Sequence, residues 1–193
     1  MKTKKLLLAI LTVAFSISCS SDDDTFDVSG TYTLSNMYVS SFPRDVYVEK
    51  YNLNTTISAD DNCLANSNLI LYPNGVAVLK LTSTVATTIQ IVEGSEDDLE
   101  HVVTCEPIEK SYTFLWMDGK EDYTEPNGHS TTSSFGDFKY IRLIDGNGMV
   151  RFTGFYDYQN NLSIGSVKEH TSSVEVQGEV IEFSNLKFMT FKR

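Results

Sequence analysis

The feature that most constrains the fold of this chain is a series of alternating apolar segments separated by short turn sequences. Between residues 67 and 81, leucines alternate with other residues on either side of Pro73-Asn74-Gly75. Proline presets φ at a turn and glycine accepts a positive φ, so this segment is predicted to be a β-hairpin. The same arrangement recurs around Asp145-Gly146-Asn147-Gly148 and around Gln177-Gly178.

The rest of residues 27–193 continues this pattern. The other predicted strands are Gly30 to Val39, parts of Val46 to Ile57, Thr87 to Val92, Val102 to Cys105, Tyr112 to Met117 and a closing Leu186 to Phe191. The sequence therefore predicts one all-β domain, an antiparallel up-and-down barrel of about 8–11 strands, because closure leaves no exposed sheet edge. Residues 40–50 and 118–137 stay unassigned, and one of them is expected to hold a short helix or a lid.

The N-terminus has the pattern of an export signal. A positive region, Met1 to Lys5, precedes an apolar run, Leu6 to Phe15, which is too short to cross a bilayer as a helix. Ser16-Ile17-Ser18-Cys19 then places small residues before a thiol. This resembles the bacterial lipoprotein signal, although Ser16 stands where leucine is usual. The resemblance implies that residues 1–18 are a cleaved signal peptide and that Cys19 is acylated, with palmitate among its chains.

The residues that follow the cysteine, 19–26, form an acidic tether. Its Ser21, Asp22, Asp23 and Asp24 are similar to the export signal of Bacteroidota surface lipoproteins. That resemblance implies an outer-membrane protein facing the cell exterior. The alternative is a solvated linker on a protein that faces the periplasm. In either case the link from Ser20 to Phe26 reaches at most about 25 Å.

The charge of the chain limits its partners. It has 26 Asp+Glu against 15 Lys+Arg, a formal net charge of -11, and such a surface repels nucleic acid and anionic lipid head groups. Contact with the membrane is therefore expected through the lipid on Cys19, and two or more acyl chains give a stable anchor.

Two cysteines remain after the tether, Cys63 and Cys105. An even number in an exported chain predicts a disulfide between them. Closing this loop of about 40 residues would contribute roughly 3–4 kcal/mol in the chain-entropy model. The alternative is a pair of buried free thiols.

Three short segments resemble the lipocalin-like lipoproteins of Bacteroidota, distant relatives of lipocalins. Gly30-Thr31-Tyr32 is similar to the Gly-x-Trp that begins a lipocalin barrel, with Tyr in place of Trp. Asp61 to Leu79 looks like the central segment of that family, and Cys105 to Trp116 like the strand that returns to it. The resemblance implies a barrel that is either filled by side chains or holds one small ligand. It also implies that Lys192 or Arg193 packs over the first aromatic, unless both are solvated.

Aromatic residues concentrate on neighbouring predicted strands. Either they line a pocket for an apolar molecule or a sugar face, or they are ordinary core, since strands favour aromatic residues in general. Alternation puts Phe152 and Tyr156 on one face and Phe155 on the other. The candidate pocket residues are Tyr112, Phe114, Trp116, Phe138, Tyr140, Phe152 and Tyr156.

Catalytic and metal-binding patterns are not found. His101, His129 and His170 lie outside any zinc-ligand spacing, and the chain lacks a nucleophile elbow, a P-loop and a dinucleotide-binding glycine motif. We therefore expect no enzyme activity, no catalytic residues, no metal and no cofactor.

Two functional classes stay open. The first is a binding module whose barrel takes a small apolar or glycan-derived ligand. The second is a solid barrel that acts through its loops, residues 93–100 and 118–137, as an accessory component of a cell-envelope complex or as a hydrolase inhibitor. The sequence does not identify a protein partner for this second class.

The acidic tether can be tested on whole cells. Replacing Asp22, Asp23 and Asp24 with alanine should leave Cys19 lipidated but turn the protein toward the periplasm, because the export signal is lost. Protease digestion of intact cells measures exposure, and mass spectrometry of the N-terminal peptide measures lipidation. A variant that stays as sensitive to protease as the native protein would contradict the prediction.

Overall fold

The strands cover most of the domain. The computed structural model describes residues 28–44, 49–58, 64–118, 123–131, 139–156, 161–168 and 170–193. Its strands are β1 (Gly30–Pro43), β2 (Leu53–Ser58), β3 (Asn68–Leu71), β4 (Val76–Ile91), β5 (Leu99–Asp118), β6 (Tyr123–Thr124), β7 (Ser130–Thr131), β8 (Lys139–Ile144), β9 (Val150–Tyr156), β10 (Asn161–Ser166), β11 (His170–Val176) and β12 (Glu179–Lys192). None of the helices in these ranges is long and apolar enough to cross a membrane.

Ten of these strands form one antiparallel sheet that closes on itself. Eight strands form a ring in which each pairs with the next one named, and β12 pairs with β1 to complete it: β1, β3, β4, β5, β8, β9, β10 and β12. Strand β1 pairs with β3 through its first residues and with β2 through its later ones. In the same way, β12 pairs with β11 through its first residues and with β10 through its last ones. The predicted all-β up-and-down barrel of 8–11 strands is confirmed.

Local turn chemistry explains the hairpins. The turns after β3, β6 and β8 each end in a glycine with positive φ, Gly75 (81°), Gly128 (83°) and Gly148 (75°). Each makes the same pair of backbone hydrogen bonds, which is the pattern of a three-residue hairpin loop. Between β11 and β12, Gln177 and Gly178 both have positive φ, as a two-residue type I′ turn requires.

Alternate residues of the ring strands fill the barrel. They are mostly aliphatic and aromatic, and each one that is fully buried contributes about 1.5–3 kcal/mol through burial. The innermost are Tyr32, Leu34, Leu69, Leu71, Ala77, Leu79, Ile141, Leu143, Leu162, Ile164 and Phe191. The predicted alternation on β9 is also seen, since Tyr156 is 5% exposed and Phe155 is 43% exposed.

The first aromatic of the barrel is held from both ends of the chain. Tyr32 is buried, its hydroxyl donates to the Val28 carbonyl at 2.7 Å, and its ring lies 6.3 Å from that of Tyr156. At the C-terminus, the Arg193 guanidinium donates to the Ser29 carbonyl at 2.9 Å. Arg193 therefore ties the last strand to the start of β1.

Several predicted strands proved to be parts of longer ones. β4 and β5 form one long hairpin, in which the pairing shifts at a bulge between Leu81 and Ser83. We call residues 83–107, beyond that bulge, the distal hairpin. In this hairpin, β5 contacts β2 and β4 contacts β11. The prediction of a separate closing strand from Leu186 was also wrong, because β12 runs unbroken from Glu179 to Lys192.

The two segments left unassigned contain short elements. A 3-10 helix, Glu49–Tyr51, follows β1, and the β6–β7 hairpin lies between β5 and β8.

Cys105 lies on β5 and is disulfide-bonded. The predictions for the N-terminus, a signal peptide over 1–18, lipidation of Cys19 and a tether with Ser21, Asp22, Asp23 and Asp24, lie outside the described residues. So do Cys63 and Phe138, and all of these predictions stay as they are.

The free energy of unfolding of a Gly154 variant tests the packing around this residue. A Cβ atom at this inward position would lie 2.1 Å from the Ser163 carbonyl oxygen and 2.7 Å from the Ile164 side chain. Because the nearest obstacle is backbone, Gly154→Ala should lower the free energy of unfolding by about 3 kcal/mol, the upper end of the usual overpacking cost. Urea denaturation measures this loss.

Gly146→Ala is the matched control, since a Cβ there meets nothing within 4 Å. It should change stability by less than about 0.5 kcal/mol. Equal effects of the two substitutions would contradict the packing described for β9 and β10.

Candidate functional site

A pocket opens on one side of the barrel, where the β8–β9 turn approaches β5 and the start of β11. Its volume is about 520 Å³, within the range of small-molecule sites. The lining comes from five parts of the chain, and consists of Tyr112, Phe114, Glu125, Asp145, Met149, Val150, Arg151, Phe152, Ser166, Val167, Lys168 and His170.

Three aromatic rings form the floor of this pocket. Phe114 and Phe152 meet edge to face with centroids 5.7 Å apart, and Tyr112 stacks against Phe114 at 6.4 Å. The Lys110 ammonium lies 4.9 Å from the centroid of the Tyr112 ring, in a cation–π arrangement. The three rings hold one another in place, so the floor is preorganised.

The pocket exists because β8 is much shorter than β5. Within the described residues, their ladder begins at Asp118 and ends at Leu115, which pairs with Ile144. The chain then turns into β9, while β5 continues without β8 beside it. Tyr112 and Phe114 keep their inward direction through the pairing with Leu79 and Ala77 of β4. Their rings are therefore left facing a gap in the barrel wall.

The β8–β9 turn forms one side of the rim. Asp145 Oδ1 accepts the backbone N–H groups of Asn147 and Met149 at 2.9 and 3.0 Å, and Oδ2 accepts Arg151 Nε at 2.6 Å. The Met149 amide, and after it the Arg151 guanidinium, hold the pKa of the Asp145 carboxyl below its ordinary value. Asp145 and Arg151 thus form an ion pair at the mouth of the pocket.

The β6–β7 hairpin braces this turn from outside. Tyr123 donates its hydroxyl hydrogen to the Gly148 carbonyl at 2.9 Å. Glu125 is 6% exposed, and its Oε1 accepts the Val150 N–H at 2.9 Å. Glu125 therefore fixes the start of β9 and also lines the pocket.

Basic groups also lie on the rim, in the segment beside Arg151. Lys168 and His170 are exposed and line the pocket where β10 leads into β11. The Val167 N–H donates to the Arg151 carbonyl at 3.1 Å and ties this connection to β9. Since Arg151 is paired with Asp145, Lys168 and His170 are the basic groups of the rim that can meet a ligand from this side.

The structure brings together three of the seven residues predicted for a pocket, Tyr112, Phe114 and Phe152. Tyr156 packs in the core beside Tyr32. Trp116 points inward, but its indole N–H donates to the Tyr72 carbonyl at 3.1 Å outside the pocket. Tyr140 pairs with the exposed Phe155 on the outer face of the sheet, where its ring lies 5.8 Å from the Arg142 guanidinium. Phe138 lies outside the described residues.

The rim was not found from the sequence. Its charged residues are Glu125, Asp145, Arg151, Lys168 and His170, which stand in turns and strand ends far apart along the chain. The turn at Asp145 was recognised, but only pairing between distant strands brings it near Lys168. In the described part of the chain, no three His, Cys, Asp or Glu residues are placed to hold a metal ion.

The site is interpreted from its own geometry. No protein-family model, no curated protein and no solved structure matches this chain. The resemblance to lipocalin-like lipoproteins therefore stays a prediction from short motifs. The pocket itself offers apolar contact over its floor and charged groups around its rim, which is the composition of a small-molecule site.

Proposed function

We propose that this protein is a lipid-anchored binding module of the outer membrane, facing the cell exterior, whose pocket takes a small apolar or glycan-derived ligand. The observation that carries the proposal is an open pocket of about 520 Å³ with an aromatic floor and a charged rim. On this proposal the protein binds its ligand without transforming it.

The floor supports an apolar or sugar-like ligand. Tyr112, Phe114 and Phe152 present ring faces and edges, which attract apolar groups and the C–H faces of sugar rings. Phe114 is buried and Tyr112 is half-buried, so both are fixed by packing before a ligand arrives. Little conformational entropy is then lost on binding, which favours affinity.

The rim supports a ligand that also has polar groups. The carboxylates of Glu125 and Asp145 offer hydrogen-bond acceptors around the aromatic floor, and the exposed Lys168 ammonium offers donors. A small number of polar groups around an apolar surface fixes the orientation of a ligand. Hydroxyl groups of a glycan-derived molecule would satisfy them, since a hydroxyl both donates and accepts.

The N-terminal sequence supports the location. Cys19 follows an export signal and precedes the acidic tether, and the short link of residues 20–26 would hold the barrel near the membrane. The ligand would accordingly be met close to the outer membrane. In the alternative function, a solid barrel would contact a protein through its loops, and no small ligand would enter.

The pocket is tested with two probes of stated chemistry, N-phenylnaphthylamine as the apolar probe and a disaccharide of N-acetylglucosamine as the glycan probe. We expect at least one of them to bind with saturation at one site. Tyr112→Ala should weaken that binding about five- to tenfold, because one stacking face of the floor is removed. Fluorescence titration and calorimetry measure the two affinities.

Tyr140→Ala is the matched control, because it removes the same side chain from the outer face of the sheet. It should leave both affinities unchanged. The absence of saturable binding of either probe, or equal loss in the two variants, would contradict the proposal and favour the solid barrel.

A further inference from the structure

A second polar cluster lies between the distal hairpin and the inner face of the strands opposite. The distal hairpin projects beyond the bulge near Ser83 and contacts β2 and β11. Strands β1 and β12, which pair with β2 and β11, complete the surface that it faces. The cluster is formed by different residues from those that line the aromatic pocket.

His101 of the distal hairpin is the centre of this cluster. Its Nε2 lies 2.8 Å from the hydroxyl of Ser41 on β1, and its Nδ1 lies 2.9 Å from the hydroxyl of Thr55 on β2. The buried Ser41 hydroxyl also donates to Asn185 Oδ1 on β12 at 2.5 Å. The Asn185 amide in turn donates to the Ser172 hydroxyl on β11 at 3.0 Å. One network therefore joins five strands.

Lys187 extends into the same space from β12. It pairs with Val39, which is fully buried, so its side chain starts on the inner face of the sheet. Its ammonium donates to the Val85 carbonyl of the distal hairpin at 3.4 Å. Within the described part of the chain, Lys187 has no carboxylate partner.

The strands around this cluster provide no negative charge to match it. β1, β2 and β4 contain no acidic residue, and His170 at the start of β11 is exposed. The glutamates of the described parts of β5, β11 and β12 are all exposed, and they are Glu100, Glu106, Glu109, Glu175, Glu179 and Glu182. On these strands a lysine and a histidine therefore lie together on the inner face, whereas the glutamates are exposed to solvent.

We propose that Lys187 and His101 form an anion site that takes the carboxylate of an amphipathic ligand. Both side chains are half-buried, so the site is reached from solvent. The Ser41 and Thr55 hydroxyls can rotate, so their hydrogen bonds to His101 can rearrange when the imidazole is protonated. The Thr87 hydroxyl oxygen, on the inner face two residues after Val85, is buried without a hydrogen-bond partner. Val85 and Val103, which are half-buried on the inner face of the distal hairpin, supply apolar surface for the rest of the ligand.

A carboxylate fits better than a phosphate because of the charge available at neutral pH. Burial, together with the charge of Lys187, lowers the pKa of His101 below its ordinary value of 6.5, and burial lowers that of Lys187. At pH 7 the empty site therefore has one cation, Lys187, with a neutral imidazole beside it. A singly charged head group balances it, whereas a phosphate dianion would leave excess charge in a partly buried place.

The same charges give the site a dependence on pH. A bound carboxylate favours the imidazolium form, so the pKa of His101 is higher in the complex than in the free protein. The complex then takes up a proton that the free protein does not bind. Affinity for a carboxylate should consequently rise as the pH falls through the range between the two pKa values of His101.

Calorimetry with decanoate and decanol tests this site. Decanoate should bind at pH 6 more tightly than decanol. Lys187→Gln should weaken the affinity for decanoate at least about tenfold and leave the affinity for decanol unchanged. Lys187→Arg, which keeps the charge, should retain most of the affinity. This result would show that the loss in Lys187→Gln comes from the missing charge and not from a folding defect. Lys192→Gln, an exposed lysine on the same strand, is the control and should have no effect.

NMR titration of the His101 imidazole supplies an independent measurement, since decanoate should raise its pKa in the native protein and not in Lys187→Gln. Tyr112→Ala should leave decanoate affinity unchanged, so the result stands apart from the test of the aromatic pocket. Failure of decanoate to bind, equal affinity for decanoate and decanol, or unchanged decanoate affinity in Lys187→Gln would overturn the proposal.

Discussion

The pairing of β12 with β1 closes the barrel and sets the positions of both proposed sites. It runs from Thr33 opposite Lys192 to Pro43 opposite Phe183 and joins the two ends of the domain. Because this ladder fixes the register, it decides which residues of both strands face inward. Phe191 then lies in the core, whereas Lys187 lies beside the distal hairpin. Both proposed sites rely on that register. It closes the barrel wall around the aromatic pocket, and it places Lys187 on the inner face of the sheet.

The unequal lengths of paired strands create the surroundings of both proposed sites. β8 ends at Ile144, opposite Leu115, and leaves the inward rings of Tyr112 and Phe114 facing a gap. On the other side of the barrel, β3 pairs with the first residues of β1 and β2 takes the later ones, near the distal hairpin. A barrel with equal strands would be closed by its own ladder at both positions. Mismatched strand lengths therefore leave both positions without a ladder that would close them.

Local chemistry made the fold class and the hairpin turns predictable, because proline, asparagine and glycine at 73–75 limit the backbone by themselves. The bulge near Ser83 was not predictable, since the Thr- and Ser-rich stretch from Thr82 lacks the apolar alternation that marks a strand. For the candidate site, alternation along one strand selected Phe152, but it could not distinguish a ring in the pocket from Tyr156 in the core. The charged rim needed distant contacts such as Val167 with Arg151, which leave no local pattern in the sequence.

The barrel is closed by the pairing of β12 with β1 and yet keeps an open aromatic pocket. The most direct test is an X-ray structure of residues 27–193 from crystals soaked with a brominated apolar probe such as bromobenzene, with the bromine located by its anomalous scattering. We predict bromine in contact, at about 4–5 Å, with the rings of Phe114 and Phe152. A pocket filled by the protein's own side chains, with bromine absent from it, would contradict this account.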